Sequence, residues 1–315
     1  MTLTFSKELK TAFLFPGQGS QLVGMGFDLF QNSRSAKDIF EEVDDALDKP
    51  LSKIIFEGPD DLLKETINAQ PAIMAVSLAC MAAFKEFNGS NDINPTFVAG
   101  HSVGEYTSLA VAGVLSIKDT ALLVQKRGML MQEACDANPG TMAAIIGLAE
   151  IIVHEITRET GTYVSNVNTA EQIVISGSNI SVAQAMDMCL ARGAKKVIPL
   201  RVGGAFHSGL MKPATKGLID TIDSMDFKDP IIPIIANCTA NPLKDSEEIK
   251  SELISQITGC VNWKNSVDFM IKSGVTKFLE IGPGRALSGM VKRIDRSAQI
   301  SSISDLESIV HISRN

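Results

Sequence analysis

The sequence predicts an α/β protein with a largely parallel sheet and a smaller inserted unit, and three observations carry that expectation. Apolar, β-rich runs alternate with helical patterns along most of the chain, the rhythm of strands wrapped by helices. A serine stands between two glycines in GHSVG at 100–104, just after a short apolar run. From Gly140 to about Leu200 the order becomes strand, helix, strand, strand, helix, strand, which is the ferredoxin-like βαββαβ arrangement. The expected division is a large unit of residues 1–138 and 202–315 carrying an insert at 139–201. With 315 residues and 45% apolar content, there is ample material for a large core.

Taken in order, residues 11–15 are a short apolar strand running into PGQGSQ at 16–21, where two glycines and a proline enforce a tight loop that can offer backbone N–H groups. No GK[ST] follows, so this loop is a poor nucleotide site. Residues 35–47 place Ala36, Ile39, Phe40, Val43 and Leu47 at helical spacing with acids opposite, an amphipathic surface helix. Residues 70–87 are apolar on nearly every face, as in a helix at the centre of a domain. Residues 95–99 enter a strand, and 105–112 read as a small-residue helix ending at Gly113. Ser116 and Asp119 make a capping-box-like start for a helix that runs to about Cys135. In the insert, strands at 142–146, 163–168, 172–176 and 196–200 are interleaved with helices at 150–159 and 180–192. Residues 231–236 and 275–281 read as core strands, the first ending in a turn at Asn237 and Asn241, the second in GPG at 282–284. A helix over 285–294 carries Arg285, Lys292 and Arg293, and the residues after about Ala298 read as a peripheral tail.

Composition excludes several classes of function. The formal charge of −7 argues against broad electrostatic attraction to nucleic acid, although a local basic patch is compatible with it. The five cysteines, at 80, 135, 189, 238 and 260, are odd in number, scattered and without a CxxC pair. That pattern argues against a disulfide framework and a zinc site, and it fits a reducing, cytoplasmic setting with no metal. The N-terminal stretch lacks a basic region followed by a long apolar one, and no other apolar run approaches membrane-spanning length, so neither export nor a membrane anchor is expected.

The chemistry-bearing residues are few. Ser102 is the candidate nucleophile: in a G-x-S-x-G elbow the strand turns sharply into a helix, and glycines at 100 and 104 relieve the crowding where the two elements pass. The backbone N–H of Val103, at the start of that helix, suits an oxyanion developing on a bound acyl group. Of the four histidines, His154 and His311 lie in a polar helix and in the tail, and His101 in an elbow points away from its neighbour. His207, in GGAFHSGLM, has the small residues that let backbone approach a ligand, a setting shared by a catalytic base and by a buried structural histidine. Arg127 lies within a helix, where an arginine is ordinarily a solvated surface group.

Several motifs coincide with one family along nearly the whole chain: FPGQGSQ at 15–21, AQPAI at 69–73, GHSVGEY at 100–106, RGMLMQ at 127–132, NVN and QIVISG within 166–177, AFHS at 205–208 and EIGPG at 280–284. In this the sequence resembles the malonyl-CoA:acyl carrier protein transacylases of fatty acid synthesis. The resemblance implies an α/β-hydrolase-like core with a ferredoxin-like insert, and transfer of malonyl from malonyl-CoA to the phosphopantetheine thiol of acyl carrier protein, with no cofactor besides these substrates. It makes Ser102 the acylated residue, His207 the general base, Arg127 the binder of the malonyl carboxylate, and Gln18 and Val103 the oxyanion-hole amides. Gln256 matches a glutamine that supports the histidine, and His101 falls in the signature beside the serine. Such a carrier is typically acidic, so docking calls for a local basic surface, for which Lys195, Lys196, Arg201, Lys292 and Arg293 are candidates by clustering. Two rival readings are an α/β serine hydrolase using Ser102 with His311 and an unidentified acid, and a catalytically silent docking module.

Overall fold

The computed structural model describes residues 10–89 and 93–313; residues 1–9, part of the N-terminal stretch read above for export signals, lie outside these. Strand β1 (Lys10–Phe15) is buried over its last five residues, as its apolar run requires. A glycine-rich loop leads to α1 (Phe27–Asn32) and α2 (Arg34–Leu47). The Ser33 hydroxyl accepts the Ala36 N–H at 3.0 Å to start α2, which buries Ala36, Phe40, Val43 and Leu47. Short helices α3 (Leu51–Glu57) and α4 (Asp60–Lys64) precede α5 (Thr66–Asn88). Helix α5 corrects one expectation, because its 23 residues are long and apolar enough to cross a membrane. Yet 89% of its apolar window is buried inside the protein, packed against α2 and α7 rather than offered to lipid.

Strand β2 (Phe97–Gly100) lies parallel to β1, with Phe15 opposite Gly100, and passes through Ser102 into α6 (Val103–Val111). Helix α7 (Ile117–Ala137) starts where the Ser116 hydroxyl accepts the Asp119 N–H at 3.0 Å, the cap legible in the sequence. Next come β3 (Gly140–Ile146), α8 (Glu150–Thr160), β4 (Tyr163–Thr169), β5 (Gln172–Ser178), α9 (Asn179–Ala191) and β6 (Lys196–Pro199). These four strands form a separate antiparallel sheet in the order β4-β5-β3-β6. Its two faces divide by the period of two: Ala143, Ile145, Ile173 and Ile175 pack with Val153, Ile156 and Val182 of α8 and α9, whereas Met142, Ala144 and Val174 turn toward the main core.

The chain then returns through α10 (Lys212–Asp223), β7 (Ile234–Ile235), β8 (Pro242–Leu243), α11 (Ser246–Gln256), α12 (Trp263–Lys272), β9 (Val275–Ile281), α13 (Ala286–Ile294), β10 (Gln299–Ile303) and α14 (Leu306–Ser313). The main sheet runs β10-β9-β1-β2-β7-β8, parallel throughout except for the β7–β8 pair. Two expectations change here. The strand expected over 231–236 shrinks to two residues, because Pro233 has no N–H to give and Ile231 is 79% exposed. The presumed peripheral tail is an integral edge, since β10 pairs with β9 and Ile303 and Ile309 are fully buried. Because β1, β2, β7 and β9 are parallel, their C-terminal ends deliver the 16–21 loop, Ser102, Asn237 and the GPG turn to one edge of the sheet, where open α/β folds place their sites.

Candidate active site

The serine elbow is built by close backbone contact. A β-carbon on Gly100 would lie 1.8 Å from the Gly104 carbonyl carbon, and one on Gly104 would lie 2.1 Å from the Phe15 carbonyl oxygen, so strand and helix pass at a distance only glycine allows. Ser102 itself is held at φ 53°, ψ −110°, a conformation that a serine adopts only when its surroundings enforce it. Asn237 supplies that restraint from the end of β7: its side-chain oxygen accepts the Ser102 N–H at 2.8 Å and its amide donates to the Gly100 carbonyl at 2.7 Å. In the sequence Asn237 reads only as a turn residue, and nothing local marks it as the brace of a serine 135 positions earlier.

Two of the residues singled out in the sequence, His207 and Arg127, meet at the Ser102 hydroxyl, and Gln256 touches both of them. His207 Nε2 lies 2.8 Å from Ser102 Oγ, and its Nδ1 lies 2.8 Å from the Gln256 backbone carbonyl. A carbonyl only accepts, so Nδ1 carries the proton and Nε2 offers its lone pair to the serine. No carboxylate fills the third position of a triad here. Sequence reasoning expected Gln256 to support the histidine; it does so through its main chain, which no side-chain pattern encodes, while its side chain serves Arg127. The Gln256 side-chain oxygen accepts from Arg127 Nη2 at 2.8 Å, and its Nε2 donates to the Ser102 carbonyl at 3.0 Å and to Glu105.

Arg127 is 1% exposed, so the surface-charge expectation for a helical arginine does not hold. It donates to the side-chain oxygens of Gln70 and Gln256 and, at 3.2 Å, to Ser102 Oγ, while its guanidinium sits 4.9 Å from the centre of the Tyr106 ring. Among the described residues no carboxylate lies within ion-pair distance of it. Burial lowers its proton affinity, partly offset by Tyr106 and Glu105. The same guanidinium acts on His207, whose pKa is pushed down to about 3, first by burial and then by Arg127.

Gln18 and His101 line a cleft of about 200 Å³ between the two sheets, together with Ser102, Asn168, Phe206 and His207. Gln18 donates its side chain to Thr66 Oγ1 at 3.1 Å, and Val103 opens α6, where first-turn N–H groups lack intrahelical partners. His101 joins the cleft rather than pointing away from it: its Nε2 donates to Asn168 Oδ1 at 3.0 Å, and its ring lies 5.6 Å from Trp263. His154 sits on the outer helix α8 facing Glu150, and His311 lines a different hollow with Arg285 and Ser308, which removes the hydrolase pairing of Ser102 with His311. Among the described residues no cluster of three or more His, Cys, Asp or Glu is arranged to hold a metal.

A glycine-buttressed serine with an imidazole on its hydroxyl, in a mixed α/β scaffold, is the geometry of serine acyl transfer, and the acyl transferase domain family matches residues 12–314, which makes the chain an acyltransferase. The malonyl CoA-acyl carrier protein transacylase of Bacillus subtilis is 45% identical over 305 residues, covering 95% of each chain. A Bartonella henselae acyl-carrier-protein S-malonyltransferase structure superposes with a TM-score of 0.92 at 41% identity, covering 97% of this chain and 99% of that one. A malonyl-transacylase solved in complex with a type II PKS acyl-carrier protein gives a TM-score of 0.92 at 36% identity, covering 97% and 99%. The chain belongs to the malonyl-CoA:acyl carrier protein transacylase family.

Proposed function

We propose that the protein moves the malonyl group of malonyl-CoA onto the phosphopantetheine thiol of acyl carrier protein through a malonyl ester of Ser102, supplying malonyl carrier protein for fatty acid synthesis. The observation that carries this reading is Arg127, a buried guanidinium without a contacting carboxylate, 3.2 Å from the nucleophilic oxygen. An acyl group bearing its own carboxylate provides the missing anion and accepts two parallel N–H bonds, which suits arginine better than lysine.

In the first half-reaction His207 Nε2 takes the Ser102 proton while Oγ attacks the thioester carbonyl. The carbon–sulfur bond breaks, and coenzyme A leaves as a thiol with the proton returned from the imidazole. Gln18 and Val103 N–H groups hold the intermediate oxyanion, supported by the position of Val103 at the start of α6. In the second half the carrier thiol gives its proton to the same imidazole and attacks the ester carbonyl; the bond from the acyl carbon to Ser102 Oγ breaks, and the imidazole returns the proton to that oxygen, which restores Ser102. The Gln256 carbonyl keeps the tautomer fixed through both halves. His101 and Asn168 line the cleft as a substrate-facing pair. No cofactor or metal enters these steps.

In this reading the chain is an α/β-hydrolase-like unit of residues 1–138 and 202–315 with a ferredoxin-like insert at 139–201, supported by the βαββαβ order and the β4-β5-β3-β6 sheet. A cytoplasmic setting is favoured by five cysteines without a disulfide. Incubation with malonyl-CoA and phosphopantetheinylated carrier protein, followed by mass spectrometry, should give malonyl carrier protein with the wild type and none with Ser102→Ala. Release of free malonate in place of malonyl carrier protein contradicts the reading.

A further inference from the structure

Beneath the elbow lies a carboxyl group that the transfer chemistry does not use. Glu105, in the first turn of α6, is fully buried, and both its oxygens act as acceptors. Oε1 takes the Asn237 backbone N–H at 2.9 Å and Oε2 takes the Gln256 side-chain amide. With its two amide hydrogens directed to Glu105 and to the Ser102 carbonyl, Gln256 has only one orientation left, with Oε1 facing Arg127. We infer that Glu105 is a positioning residue for acyl selection: through Gln256 it holds the Arg127 guanidinium in line with the acyl group, without itself contacting the guanidinium.

The indirect route matters. A carboxylate bonded straight to Arg127 would neutralise it and compete with any incoming acyl carboxylate. An amide oxygen orients the guanidinium without satisfying its charge, and the carboxyl group stays one side chain away. The inference rests on the malonyl-transfer reading and deepens it by naming what aims the arginine.

Glu105→Gln changes an acceptor into an amide of nearly the same shape. The Asn237 N–H is fixed by the backbone, so the new amide's oxygen stays with it and its NH2 group turns toward Gln256. Two donors then face each other, and the Gln256 amide is free to turn over, which presents its own NH2 group to Arg127. The test compares kcat/KM for malonyl-CoA and acetyl-CoA in wild type and Glu105→Gln, with carrier protein as acceptor. The malonyl-to-acetyl ratio should fall about ten- to a hundredfold, the scale of a misplaced positioning group. The acetyl value should fall far less than the malonyl value, since His207 keeps its contact with the Ser102 hydroxyl and the elbow loses only the Gln256 bond to the Ser102 carbonyl. Gln256→Met should produce the same fall, and the double variant should add nothing to either single change.

An unchanged ratio, with both substrates slowed equally or neither slowed, overturns the inference and leaves Glu105 a residue of the fold. A Glu105→Gln protein that does not fold counts against it equally, because a purely orienting role tolerates an isosteric change. A wild type that fails to transfer malonyl overturns the functional reading itself and this inference with it.

Discussion

Arg127 Nη2 donates to Ser102 Oγ at 3.2 Å, so the guanidinium proposed to meet the acyl carboxylate touches the oxygen proposed to be acylated. Replacing it with alanine removes a charge-assisted contact from a desolvated site, a loss of about 2 to 5 kcal/mol in malonyl transfer. Acetyl-CoA has no second carboxylate and gains nothing from the arginine, so its kcat/KM should hold or rise. Parallel falls for both substrates would instead mark a packing role.

His207→Ala should slow acylation by about two to four orders of magnitude, the usual scale for a positioned base. The imidazole works only when neutral, so activity is lost as pH falls through its pKa. With that pKa pushed down to about 3, the acid limb of kcat/KM should lie far below the ordinary histidine value of 6.5. A malonyl carboxylate on Arg127 offsets the second cause of the depression, so the limb in kcat should sit above the limb in kcat/KM. An acid limb near 6.5 in kcat/KM would contradict the burial of His207.

Stability follows with a definite sign. Between about 3 and 6.5 the unfolded histidine binds a proton that the folded one refuses, so this group's contribution to stability falls as pH is lowered through that window. Burial raises Glu105 and Glu252, which act in the opposite direction above 4.5, so the comparison must isolate the histidine. Urea titrations of wild type and His207→Gln should show a shallower acid decline in the variant, and identical slopes would argue against the depressed value.

Gly104→Ala should be more damaging to the fold than to any single chemical step. Its β-carbon would meet the Phe15 backbone at 2.1 Å, and backbone cannot yield as a side-chain tip can. The loss should be at or above about 1 to 3 kcal/mol, the ordinary cost of overpacking. Chemical denaturation measures it, and a midpoint equal to wild type would show that β1 and α6 can separate freely.

Of the basic residues singled out by sequence, Arg293 is best placed for the carrier protein. It donates to Gln172 at 3.3 Å, and Gln172 lines the cleft that holds Ser102. Lys195 faces Glu171 at 3.4 Å, and Lys292 is tied to the Ala298 carbonyl at 2.7 Å, whereas Lys196 and Arg201 are exposed. Arg293→Glu should raise KM for carrier protein several-fold, imitate the effect of salt, and leave acylation by malonyl-CoA unchanged. Unchanged carrier kinetics would move the docking surface elsewhere.

What was legible in the sequence follows the range of the interactions. The Ser102 elbow needs only neighbours within a few positions, and its glycines announce it. The cap at Ser116 and the rhythm of the 140–200 segment are equally local. Arg127 and Gln256 look ordinary in their own helices and gained meaning only through resemblance to a family. Asn237 reads only as a turn residue and Glu105 only as part of GHSVGEY, because their contacts form where β7, α6 and α11 meet. The tail misled for the same reason: a parallel edge strand depends on a distant partner, and nothing near Gln299 points to Val275–Ile281.

The most direct measurement omits the carrier protein. The protein is incubated with malonyl-CoA alone, quenched, digested and examined by mass spectrometry. The account predicts a malonyl adduct on the peptide containing Ser102, absent in Ser102→Ala and lost again when carrier protein is added before the quench. A wild-type peptide that stays unmodified while malonyl still reaches the carrier would contradict the serine ester at the centre of the account.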